Sequence, residues 1–122
     1  MSYYQGFLLA VPNQNKATYK KHAEACWPIF EEYGCLSCNE NWGVDVPDGK
    51  VTSFPMAVQK KDDETVVFSW MEWPDKETCD TAWDKIMQDP RMQEMGEMPF
   101  DGMRMMWGGF EPLVDMRAKV SA

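Results

Sequence analysis

The chain has 122 residues, with 12 Lys and Arg against 20 Asp and Glu, a formal net charge of −8. That length suits one domain, residues 1–122, with a core of its own. So acidic a surface repels phosphate backbones and anionic headgroups, which excludes nucleic acid and membrane as general partners.

The opening Tyr3 to Val11 is aromatic and apolar, and Pro12-Asn13 closes it, which predicts a strand. Asn15 is a candidate N-cap for a helix over Lys16 to Tyr33, where Tyr19, Ala23, Cys26, Phe30 and Tyr33 recur at four- and three-residue steps. Gly34 stands where a C-cap glycine belongs, and Pro28 is expected to bend or split the helix. Cys35 to Val44 reads as a second strand with Leu36, Cys38, Glu40, Trp42 and Val44 on one face. Asp45 to Lys50 is turn chemistry, with Asp48-Gly49 its strongest element.

Alternation of Phe54, Met56 and Val58 predicts a third strand, at an edge or bulge because of Pro55, and Lys60 to Glu64 a polar turn. Thr65 to Trp73 is the strongest strand: Val66, Phe68, Trp70 and Glu72 face one way, Val67, Ser69, Met71 and Trp73 the other. Asp75 caps a second helix running to about Met87, with Cys79, Ala82, Trp83, Ile86 and Met87 on its apolar face. Asp89-Pro90 ends it, a short helical turn passes through Met92 and Met95, Gly102 to Phe110 is a last strand, and a loosely held tail begins at Glu111.

The order is a βαββαβ plan with one extra strand segment, an α+β ferredoxin-like protomer with an antiparallel sheet and both helices on one face. The strongest strand is apolar on both faces, and two helices cover only one. The other face therefore needs a partner, which predicts a homodimer with two sheets closing into a barrel. No apolar run approaches the roughly 20 residues of a membrane span. Met1 to Ala10 lacks the pattern of a secretory signal, and four cysteines in such a chain point to reduced thiols in a cytoplasm.

Three stretches are specific: Trp42 to Thr52 (WGVDVPDGKVT), Thr65 to Pro74 (TVVFSWMEWP) and Met98 to Met105 (MPFDGMRM), with Gly108-Gly109-Phe110-Glu111-Pro112 after them. Through these the chain resembles the YbaA-like family of uncharacterised bacterial proteins, within the dimeric α/β-barrel superfamily. The resemblance spans Tyr3 to Asp115 and implies a ferredoxin-like fold and a dimer. It implies no reaction, because the superfamily holds cofactor-free monooxygenases, haem enzymes and small-ligand binders alike.

Candidate chemistry comes from charged residues on strands otherwise built for burial. Glu40, Glu72 and Arg104 each lie near a strand end, and an arginine between two carboxylates is the stable way to bury such charges. The same arrangement would lift a carboxylate pKa or anchor an acidic ligand; otherwise it is a salt-bridge network fixing an interface. Asp45, in the loop after the second strand, is a candidate base or a turn residue. Trp42 and Trp70, with methionines, are candidate pocket walls. His22 is the lone histidine and reads as a boundary residue of its helix.

Cys35-Leu36-Ser37-Cys38 enters a strand, whereas a redox pair wants a helix N-terminus, and no second pair exists to complete a zinc tetrad. The methionines from Met87 to Met106 read as packing or a pocket lining rather than a copper site. No metal or cofactor is expected. Two functions follow: a homodimer binding or transforming a small molecule, with catalytic residues unassigned and Glu40, Trp42, Asp45, Trp70, Glu72 and Arg104 around the pocket, or a non-catalytic structural homodimer.

Overall fold

The computed structural model describes residues 2–119. Strand β1 (Tyr3–Pro12) leads into helix α1 (Lys16–Glu32), then β2 (Ser37–Trp42), a single-turn helix α2 (Phe54–Ala57), β3 (Glu64–Trp73), α3 (Lys76–Ile86), the short α4 (Pro90–Gln93) and β4 (Met106–Phe110). The sheet is antiparallel throughout in the order β2-β3-β1-β4. Central β1 and β3 pair over ten residues, from Tyr3 opposite Trp73 to Pro12 opposite Glu64. This is the α+β ferredoxin-like arrangement.

The helix ends follow local chemistry. Cys35 N–H donates to Phe30 O and Gly34 N–H to Glu31 O, the double bond of a Schellman turn, with Gly34 at φ +108° where a Cβ would strain the backbone. Asp75 caps α3 by accepting from Thr78 N at 2.7 Å. Asn15 precedes α1 but makes no capping bond. Its Nδ2 donates to Pro99 O at 3.0 Å, tying the helix start to a distant loop. Pro28 does not split α1, which runs unbroken to Glu32 with the proline on its exposed side.

Two expected strands are corrected. Phe54 to Ala57 is helical, with Val58 as its C-cap: Ser53 Oγ accepts from Met56 N at 3.1 Å, and Pro55 stands in the first turn, where its missing N–H costs nothing. Gly102 to Arg104 forms a 3-10 turn capped by Asp101, so β4 begins only at Met106.

The helix-covered face of the sheet carries the main core, in which Met71 and Trp73 pack with Cys26, Phe30, Cys79, Ala82 and Ile86. At the same depth Gln5 Oε1 accepts two indole N–H groups, Trp73 Nε1 at 3.0 Å and Trp83 Nε1 at 2.7 Å. Gln5→Leu orphans both donors, with an expected loss of about 2–4 kcal/mol in urea unfolding and displaced indole N–H resonances. The opposite face divides in two. Leu8, Ala10 and Val66 are covered by Val58 and Val46 from the segment between β2 and β3, whereas Phe68, Met106 and Phe110 stay about half exposed. The chain thus covers part of the face that the strand pattern leaves bare. Not all of it is covered.

Candidate functional site

A concavity of about 1140 Å³ lies between α1 and the edge strand β2 on the helix-covered face. Its walls are Trp27, Leu36, Trp42 and Val67, with Ala17 and Ala23 leaving room on the helix side. Small-molecule sites have this make-up, apolar walls with few polar anchors. Lys16 at the rim holds its Nζ 5.1 Å from the centroid of the Trp42 ring, a cation–π distance.

The polar anchors are Glu40 and Tyr19. Glu40 stands opposite Ser69 in the β2–β3 ladder, so its side chain points to the helix side, where α1 presents Tyr19. Tyr19 Oη donates to Glu40 Oε1 at 2.5 Å, and Cys38 Sγ lies 3.9 Å from Oε2. The edge-on ring of Phe100, 5.8 Å away, fixes the tyrosine in that position. Solvent reaches Glu40 from the open mouth, while protein surrounds it elsewhere. That partial desolvation raises the carboxyl pKa against the opposing pull of hydrogen bonds from Tyr19, Ser69 and Cys38. Burial and the neighbouring carboxylate push Tyr19 far above the ordinary phenol range, and Cys38 up to about 12. Tyrosine therefore stays a donor and the thiol stays protonated, which leaves the Glu40 carboxylate as the acceptor of the group.

A profile of a protein family of unknown function, DUF1428, matches residues 2–102. The chain belongs to this family. Among curated relatives, the uncharacterised protein YbaA of Escherichia coli K12 is 53% identical over 116 residues, covering 94% of this chain and 99% of its own. YbaA of Shigella flexneri matches to the same extent. Among solved structures, Rv0793 from Mycobacterium tuberculosis superposes with a TM-score of 0.51 at 11% identity, covering 96% of this chain and all of its own. A dimeric ferredoxin-like protein from an uncultured marine organism does so at 0.51 and 13%, covering 97% and 100%. Both likenesses concern the fold alone.

Of the residues singled out from the sequence of this DUF1428 chain, Glu40 and Trp42 line the cleft. Trp70 and Glu72 point to the opposite face, because two-residue periodicity sets them out of phase with Ser69. Glu72 there accepts from the hydroxyls of Ser2 and Ser37. Asp45 is exposed in the loop beyond β2. Arg104 lies between neither Glu40 nor Glu72: its carboxylates are Glu64 and Asp101. Among the described residues no methionine lines the cleft. Met92, Met95 and Met105 instead pack against the core clusters.

His22 contacts Cys26 Sγ through Nδ1 at 3.8 Å, its enclosed Nε2 has no partner, and desolvation lowers its pKa. Cys35 is buried, bonded to the carbonyls of Ser37 and Glu72, and held up to about 11 by desolvation. Neither it nor Cys38 has the lowered pKa of a reactive thiol. Among the described residues no three His, Cys, Asp or Glu side chains converge as metal ligands, and no helix is long and apolar enough to cross a membrane. Tyr19 is the functional candidate that sequence reasoning passed over. It belongs to the apolar stripe of α1, and only its phenol, at the edge of that stripe, signals a second role.

Proposed function

We infer that the chain is a homodimer that binds an apolar, ring-bearing small molecule in the cleft between α1 and β2, and handles it without a bound cofactor. The observation that carries this reading is the Glu40–Tyr19 pair set into a cleft walled by Trp27, Trp42 and Leu36. A structural salt bridge would place a cation against Glu40. Here it meets a hydroxyl, and a ligand hydroxyl or amide can replace that donor. The raised carboxyl pKa suits a proton acceptor, so a ligand with an acidic hydrogen would be deprotonated there. The dimer is supported by the bare apolar half of the sheet face and by the solved neighbour described as dimeric.

Native mass spectrometry on protein purified gently from its own cells tests both parts. The expected species is a dimer with added small-molecule mass that is absent from the Glu40→Gln protein. A dimer bare in every preparation would favour the second reading, a non-catalytic homodimer. Arg104 supports that reading, since its charge is spent entirely on holding the chain's own segments together.

A further inference from the structure

After β4 the chain continues as an arm, residues 111–119, without helix or strand. Its composition is unusual for a loose tail. Leu113 is 96% exposed and Met116 85%, and Val114 is exposed as well. The arm does not leave the body. With Val114 it walls a groove of about 530 Å³ on the bare half of the sheet, floored by Tyr4, Gly6, Phe68 and Trp70 and bordered by Phe110. The Phe110 ring packs over Gly6 and Gly108, 3.4–3.5 Å from where a Cβ of either would stand. Val114 borders the groove of its own sheet while Leu113 stands almost wholly in water, the placement a segment clamped between two sheets requires.

We propose that the arm of each protomer is an interface element, and that Leu113 of one copy fills the groove beside Trp70 and Phe110 of a second copy. The inference rests on the homodimer reading above and specifies how that dimer closes. Area supports a second copy as the occupant. Phe54, Met56, Phe68, Met106 and Phe110 are about half exposed, and Leu113, Val114 and Met116 more so. At roughly 150–250 Å² per large side chain, they offer on the order of 900 Å² of apolar surface per protomer. A stable dimer needs about 800 Å² from each partner. Two-fold symmetry makes the contact reciprocal: each arm meets the other's groove, and the two sheets enclose both arms.

The test uses the full chain and Leu113→Asp. Leu113 touches almost nothing within its own protomer, so the substitution leaves the fold intact, as circular dichroism would verify. Because the contact occurs twice, the dimer dissociation constant by sedimentation equilibrium is expected to rise roughly a hundredfold. In mixed-label dimers, isotope-filtered NOEs from the Leu113 methyls to the Trp70 indole are expected between protomers. A wild-type dimer matched in affinity by Leu113→Asp, or with Leu113–Trp70 NOEs only within one protomer, would overturn the arm while leaving the dimer standing. A wild-type chain that is monomeric at the highest working concentration would overturn both.

Discussion

Arg104→Met is expected to lower the unfolding free energy by about 3–5 kcal/mol and Tm by roughly 10–20 °C. Its guanidinium meets Glu64 through two parallel bonds, Nη1 to Oε1 at 2.7 Å and Nη2 to Oε2 at 2.6 Å. Nε donates to Asp101 at 2.9 Å, and Nη1 also reaches Gln59 O at 2.9 Å. One side chain thus joins the start of β3, the turn before β4 and the left-handed residue Gln59, at φ 49°. The Glu64 side chain is only 4% exposed and that of Arg104 13%, so removing the cation strands a buried carboxylate. By contrast, Lys76→Met, which breaks an exposed i,i+4 pair with Asp80, should leave the unfolding midpoint nearly where it is in wild type.

The pH dependence gives the same pair a second signature. Arg104 holds the Glu64 carboxyl at about 2, below its ordinary 4.5. A carboxyl depressed by folding stabilises the native state above its unfolded pKa, and the gain is lost as pH falls through the folded value. Wild-type stability should therefore decline between about pH 4.5 and 2. In Arg104→Met the unpaired, desolvated carboxyl is pushed upward instead, so the decline between about pH 4.5 and 2 should vanish, and stability should fall as pH rises above about 4.5. Urea titrations across the range decide it. A variant that keeps the wild-type slope would show that Arg104 is not what holds Glu64 ionised.

The architecture was largely legible because its signals are local. The two-faced alternation of β3, the Asp75 cap and Gly34 at the α1 terminus each depend on neighbours within a few residues, and each stands where the pattern puts it. Phe54, Met56 and Val58 suggest a strand although the segment is helical, because alternation over so few residues is shared by a strand and a capped turn. Ser53 and the proline tip the balance, and they do so through backbone bonds. The charges were harder. Glu40 and Glu72 look equivalent along the chain, but the register placing Ser37 opposite Glu72 and Glu40 opposite Ser69 sends them to opposite faces. Glu64 went unnoticed in a polar turn, since its partner lies 40 residues away and no periodicity links them. Burial pattern finds an element's inner face, but it does not say which charges will meet there.

Glu40→Gln is expected to cost ligand binding about tenfold or more while leaving the protein as stable as wild type or more stable at neutral pH. Those two effects have opposite signs because of how Glu40 is placed. Folding raises its pKa, chiefly through desolvation, so the ionised form is tolerated less well in the native state than in the unfolded chain. A group raised on folding favours the native state below its unfolded pKa, and that advantage is lost as pH rises through the folded value. The amide keeps the shape and still accepts from Tyr19, yet carries no charge to desolvate. A residue retained for structure would show the reverse, a loss of stability with nothing lost in binding. Tyr19→Phe completes the comparison. It removes the donor that most favours ionised Glu40, so the carboxyl pKa, followed by carbon-detected NMR, should rise further. The pH at which ligand uptake sets in should move up with it. If uptake proves independent of pH in both proteins, Glu40 takes no proton from the ligand and serves only as a hydrogen-bond acceptor.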